Sequence, residues 1–158
     1  MNKDQIYMNI AKEYSNFSKC QFTQVAAILV NEQGRIVSTG VNGTVPGTDN
    51  CCDIKFDSRD DHGKFSHDYE IHAEMNLMLE LIRNGVQLEG EHTIYVTISP
   101  CGNCLKHIAA TNSNKFKISK IVYEEQYWRT SDEELVAMMD YAYSNGIQLL
   151  KLDHIINF

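Results

Sequence analysis

Residues 93–123 read TIYVTISPCGNCLKHIAATNSNKFKISKIVY, and this stretch decides the fold class. Residues 93–98 form a short apolar, β-branched run, the pattern of a buried strand. Residues 102–111 carry helical spacing, and residues 118–123 return to a strand pattern. Working outward, residues 131–143 predict a helix, with Ser131 as N-cap and Glu134 completing a capping box. Asn145-Gly146 stops it, and residues 147–152 predict a last strand. Upstream, residues 71–83 predict a strong helix with Met75, Met78, Leu79 and Ile82 on one face and Asn84-Gly85 as its stop. Helices alternating with strands imply an α/β sandwich around a mixed sheet.

The first half is less regular. Residues 4–16 place Ile6, Ile10 and Tyr14, with Phe17 just beyond, at roughly helical spacing, an amphipathic helix. Residues 22–30 and 35–40 read as two strands joined by the turn Asn31-Glu32-Gln33-Gly34, a β-hairpin. Residues 41–69 show no periodicity, and a stretch of that length inside a compact domain tends to be functional.

The 158 residues suit one domain, 1–158, and bury a core without disulfides. Hydrophobic residues at 43% and charged residues at 22% are those of a globular protein. The net charge of −7 argues against affinity built on neutralising nucleic-acid phosphates, yet leaves room for one small anion. Residues 1–14 do not read as a signal peptide, and the longest apolar run, residues 25–30, is too short to span a bilayer. A cytoplasmic location with no membrane partner is therefore expected, and the five cysteines should be thiols or metal ligands.

The chemistry lies in His72-Ala73-Glu74 and Pro100-Cys101-Gly102-Asn103-Cys104. Each half alone is weak; together, at the starts of two predicted helices, they match H-x-E…P-C-x-x-C, the signature of zinc deaminases. One imidazole and two thiolates leave the fourth tetrahedral position of Zn²⁺ open for a water, whose pKa the metal lowers. Glu74 is then the group that moves the proton. Residues two apart point in different directions within a helix. The pair works only if the metal sits off the helix N-terminus. A redox role for Cys101 and Cys104 leaves His-x-Glu without purpose, and a closed structural site would need His107, which reads as a helix-surface residue.

At these residues the chain resembles the deoxycytidylate deaminases, especially the bacteriophage-type members of the cytidine deaminase superfamily. The resemblance runs from Lys19 to Tyr127. It rests on Ser18-Lys19-Cys20, Ser38-Thr39-Gly40-Val41-Asn42-Gly43, Asn50-Cys51-Cys52-Asp53, Glu70-Ile71-His72-Ala73-Glu74, Arg83-Asn84-Gly85 and Tyr95-Val96-Thr97-Ile98-Ser99-Pro100-Cys101. It implies a three-layer α/β fold with a five-stranded mixed sheet flanked by helices. The implied reaction is the hydrolysis of dCMP to dUMP and ammonia, feeding dTMP synthesis. His72, Cys101 and Cys104 would hold the catalytic zinc, with Glu74 as proton shuttle. Asn42, Ala73 and Ser99 would contact substrate, and Arg83 and Tyr127 phosphate or effector.

The resemblance also implies a second, structural zinc on Cys20, Cys51, His62 and Glu70, although adjacent Cys52 could exchange roles with Cys51. A metal clip suits a loop with few apolar residues. A homo-hexamer responding to dCTP with Mg²⁺ and to dTTP follows from the same source. Val41 stands where relatives commonly have Tyr, which weighs against that regulation, and Gly102 replaces a frequent Pro without touching a ligand. Besides Arg83, the basic residues near the motif in sequence are Lys55, Arg59 and Lys64. A deaminase of another base (tRNA adenosine, guanine or a modified cytosine nucleotide) is the rival enzyme, and a zinc-stabilised binding module the rival without chemistry.

Overall fold

The computed structural model describes residues 1–156. Five strands, β1 (Ala26–Asn31), β2 (Ile36–Val41), β3 (Gly90–Ile98), β4 (Phe116–Glu125) and β5 (Gln148–Lys151), form one sheet in the order β2-β1-β3-β4-β5. The β2-β1-β3 pairings are antiparallel and the β3-β4-β5 pairings parallel. Parallel neighbours need a crossover. The helices α4 (Gly102–Thr111) and α5 (Asp132–Ser144) supply the two crossovers.

Alternation along the strands sorts the core into two layers. Ala27 and Leu29 of β1, Ile94 and Val96 of β3, and Ile121 and Tyr123 of β4 pack with Leu105 and Ile108 of α4 and Leu135 and Ala142 of α5. Leu77 and Leu81 of α3 (Ala73–Arg83) join the same layer. The intervening Ile28, Val30, Tyr95 and Val122 face Met8 and Ala11 of α1 (Lys3–Ser15) and Leu152 of α6 (Leu152–Ile156). Fully buried side chains such as Ile28, Ile94 and Ile121 each contribute about 1.5–3 kcal/mol by leaving water. The mixed five-stranded sheet between two helical layers is the architecture expected from the sequence.

Several local expectations need correction. Helix α1 exists, but Met8 and Ala11 are its buried face, while Ile6, Ile10 and Phe17 are exposed. Likewise α3 buries Ala73, Leu77 and Leu81, and leaves Leu79 and Ile82 exposed. Met75 and Met78 flank the buried stripe of α3 and pack against the core as expected. Residues 22–25 are not strand: the Val25 N–H donates to Asn42 Oδ1 and the Thr23 N–H to Cys20 Sγ, so the ladder cannot extend there. Residues 41–69 contain a 3-10 turn, Cys51–Asp53, and a helix, α2 (Arg59–Tyr69), capped by Ser58, whose hydroxyl accepts from the Asp61 N–H. The last strand ends at Lys151, and α6 follows.

The end of β2 is locked to the start of α3, which fixes the site. A Cβ on Gly40 would run into the backbone of Ala73 and Leu77, so only glycine lets the strand lie this close. Ser38 Oγ donates to the Leu77 carbonyl at 2.8 Å, and Asn76 Nδ2 to the Val41 carbonyl at 2.7 Å. Gly43 and Ile71 exchange both backbone hydrogen bonds immediately before His72.

Candidate active site and metal centres

His72 is the N-cap of α3, extended at φ −65° and ψ 153°, and Glu74 lies in the first turn behind it. Cys101 is the N-cap of α4, extended at φ −80° and ψ 165°, with Cys104 in the first turn. Two helix N-termini thus converge on one point, where free N–H groups and the helix dipoles favour thiolates. This is the geometry the H-x-E spacing requires. His72 Nδ1 lies 3.5 Å from Cys101 Sγ and 3.4 Å from Cys104 Sγ. Tetrahedral Zn–N and Zn–S bonds give ligand–ligand edges of about 3.5 Å. The three donors therefore fit zinc with a fourth position left over. His107 is exposed and takes no part in the cluster.

The three donors perturb one another strongly. Hydrogen bonding with Cys104 pushes the Cys101 thiol well down, and the same bond together with burial pushes Cys104 up. His72 is raised, chiefly by its contact with Cys101. Glu74 is not one of the clustered donors but is buried beside them, and burial pushes its carboxyl up to about 7. A proton carrier with a pKa near the working pH is the efficient kind.

Cys20, Cys51, His62 and Glu70 form a second donor cluster, with their ligand atoms all within 4.8 Å of one another. Cys20 Sγ is 3.5 Å from His62 Nε2, and His62 Nε2 is 4.0 Å from Glu70 Oε2. The Thr23 N–H donates to Cys20 Sγ and the Gln21 N–H to Cys51 Sγ, bonds that orient and stabilise thiolates. Burial pushes Cys20 up to about 11 and His62 down. Glu70 Oε1 is buried with no hydrogen-bond partner. An orphaned carboxylate oxygen beside two buried thiols and a neutral imidazole suits a bound cation. Cys51 is 1% exposed and points into the cluster; Cys52 is exposed and touches Asp53 instead. The choice between the two cysteines falls on Cys51.

Between the clusters lies a cavity of about 280 Å³. His72, Cys101 and Glu74 line it, as do Asn42, Ala73, Ser99 and Tyr127. Asn42 Oδ1 accepts from Ser18 Oγ and the Val25 N–H, and its Nδ2 donates to the Thr23 carbonyl. One Nδ2 hydrogen remains for a ligand. Ser99 Oγ accepts from the Tyr127 N–H, which fixes the loop after β4. Arg83 does not line the cavity: it sits at the other end of α3, paired with Glu80 at 2.7 Å. Arg59, Trp128 and Arg129 do line it. Of these, Trp128 and Arg129 were not singled out by the sequence; the single tryptophan beside Tyr127 was the available signal.

The family model for the cytidine and deoxycytidylate deaminase zinc-binding region matches residues 1–124. The chain belongs to that family of deaminases. The deoxycytidylate deaminase of enterobacteria phage T4 is 35% identical across 79% of this chain and 79% of its own length. That of phage T2 is 33% identical, across 79% and 81%. The crystal structure of the cyanophage S-TIM5 dCMP deaminase with dCMP and dUMP superposes with a TM-score of 0.72 at 27% identity, covering 94% of this chain and 95% of that one.

Proposed function

We propose that this protein hydrolyses dCMP to dUMP and ammonia as a single catalytic domain spanning residues 1–158. The observation that carries the reading is the His72, Cys101 and Cys104 cluster, whose His72 and Cys101 line one cavity with buried Glu74. Zinc held by the triad supplies Lewis acidity that activates water at neutral pH. Glu74 takes a proton from the attacking water as its oxygen bonds to C4 of the cytosine. The same carboxyl delivers that proton to N3, then takes the second proton from the oxygen now on C4 and passes it to the amine as the C4–N4 bond breaks, so water and dCMP become dUMP and ammonia. Asn42 offers its spare N–H to the sugar, and Ala73 and Ser99 bound the base. The cluster of Cys20, Cys51, His62 and Glu70 holds a second, structural zinc.

The test is ammonia release from a nucleotide panel. We expect kcat/KM for dCMP to exceed that for deoxycytidine by about 100-fold or more, since hydrogen bonds to a charged group contribute about 1.5–3 kcal/mol each. Faster release from tRNA adenosine, guanine or a methylated dCMP would move the reading to that substrate, and none at all would end it.

Family resemblance extends the proposal to a cytoplasmic homo-hexamer. Its rate would respond to dCTP with Mg²⁺ and to dTTP, although Val41 weighs against the regulation. Arg83, an α3 length of about 16 Å from the catalytic end, could serve an effector or a neighbouring chain but not a ligand in this cavity. No helix among the described residues is long and apolar enough to cross a membrane. The exposed Ile6, Ile10, Phe17 and Ile82 support self-association. Sedimentation at micromolar concentration should find the oligomer; a monomer alone would rule it out.

A further inference from the structure

We propose that Ser18 is a positioning residue for the substrate sugar, acting through Asn42, an inference resting on the deaminase reading above. Ser18 stands just beyond α1, where its N–H donates to the Ser15 carbonyl at 2.9 Å. It is 4% exposed and is not among the residues that line the catalytic cavity, so it does not itself meet a ligand there. Its hydroxyl oxygen accepts from the Cys20 N–H at 3.3 Å. Its one proton has two acceptors, Asn42 Oδ1 at 2.6 Å and the Asn42 carbonyl at 3.0 Å. Both belong to the residue that borders the cavity.

Asn42 follows directly on β2, and its N–H donates to the Val25 carbonyl at 3.1 Å. The Val25 N–H donates to Asn42 Oδ1 at 2.9 Å, and Asn42 Nδ2 donates to the Thr23 carbonyl at 2.8 Å, which decides which end of the amide is oxygen. Ser18 adds the shortest of these bonds and takes the last lone pair of Oδ1. The amide then has one thing left to offer, the second hydrogen on Nδ2, so the sugar must present an acceptor to it. In dCMP the 3′-hydroxyl is the one free hydroxyl of the sugar, and it would accept through its oxygen. Gln24 Nε2 holds the Ser18 carbonyl at 2.9 Å, so residues 18–25 wrap Asn42 from behind. An amide locked in this way before the ligand arrives loses little freedom on binding it.

The alternative is that Ser18 only ties residues 18–25 to the end of β2. The zinc-loaded enzyme separates the two. On dCMP, S18A should raise KM by about 5–50-fold, the loss expected when a buried acceptor is deprived of its donor. Its kcat should stay within about threefold of wild type, because Asn42 holds the sugar rather than the reacting carbon. On 2′,3′-dideoxycytidine 5′-monophosphate, which lacks the hydroxyl, S18A and wild type should agree within about twofold. On dCMP, N42A and the double variant S18A/N42A should likewise agree, since Ser18 has no other route to the sugar. S18T, which keeps a hydroxyl, guards against an S18A that fails to fold: any loss it shows must fall on dCMP and not on the dideoxy analogue. S18A with the wild-type KM on dCMP, or either variant with equal losses on the two substrates, would overturn the proposal. Wild type that turns over the analogue as well as dCMP would overturn it too, by removing the sugar contact from Asn42 while leaving the deaminase in place. Wild type inactive on every cytosine compound would instead bring down the deaminase reading itself, and this inference with it.

Discussion

Glutamine at position 74 is expected to lower kcat by about 10²–10⁴-fold while zinc content stays at the wild-type level. The side chain is 3% exposed, so a near-isosteric amide occupies the same space without opening a cavity. It can still donate and accept hydrogen bonds, but it cannot take a proton from water and return it to the ring nitrogen and the amine. Because Glu74 stands outside the donor cluster formed by His72, Cys101 and Cys104, its removal has no route to metal loss. Initial rates on dCMP and metal analysis on the same preparation decide the matter. Normal turnover would remove Glu74 from the mechanism, and loss of zinc would make it a ligand.

The clustering of the candidate site residues was legible in the sequence because the chemistry they suit fixes both type and spacing. Thiolates at Cys101 and Cys104 become neighbours once Cys101 caps a helix, and His72 and Glu74 share a focus only when His72 caps another. The layered sheet was legible for a related reason. The helices at residues 102–111 and 131–143 carry their own start signals, and Ser131 with Glu134 forms the capping box that the sequence announces. Helix α2 was not legible. Its sequence, RDDHGKFSHDY, buries only His62 and carries Gly63, so it has no apolar period to detect. Tertiary contacts fix it instead: Phe65 packs at a tilt against Phe56, and His62 reaches toward Cys20 and Glu70. On α1 the buried face is Met8 and Ala11 rather than Ile6 and Ile10, while on α3 Met75 and Met78 do pack on the core and only Leu79 and Ile82 turn away from it. Arg129 and Trp128 escaped notice since a loop residue gains meaning only from what folding brings opposite it.

Serine at position 20 is expected to reduce bound zinc from about two ions per chain to about one, and to destabilise the fold by about 3 kcal/mol or more. For a chain of this size that is a fall in melting temperature of about 6–12 °C. The segment from Gly43 to Tyr69 has little core of its own: among its residues only Cys51 and His62 are buried, and both belong to the donor cluster. Hydrogen bonds to Lys19 and Gln21 attach it to the domain, and the donor cluster adds Cys20 and Glu70, the latter two residues before His72. A metal bound there closes the loop in the folded state, and the free energy of binding adds to that of folding. Burial holds the Cys20 thiol up at about 11 without a metal, so loading the site releases a proton. The matched control is Cys52→Ser, which removes an exposed thiol outside the cluster and should keep both ions and the wild-type melting temperature. About one zinc per fully loaded wild-type chain, or equal metal loss in the two variants, would rule out the second site.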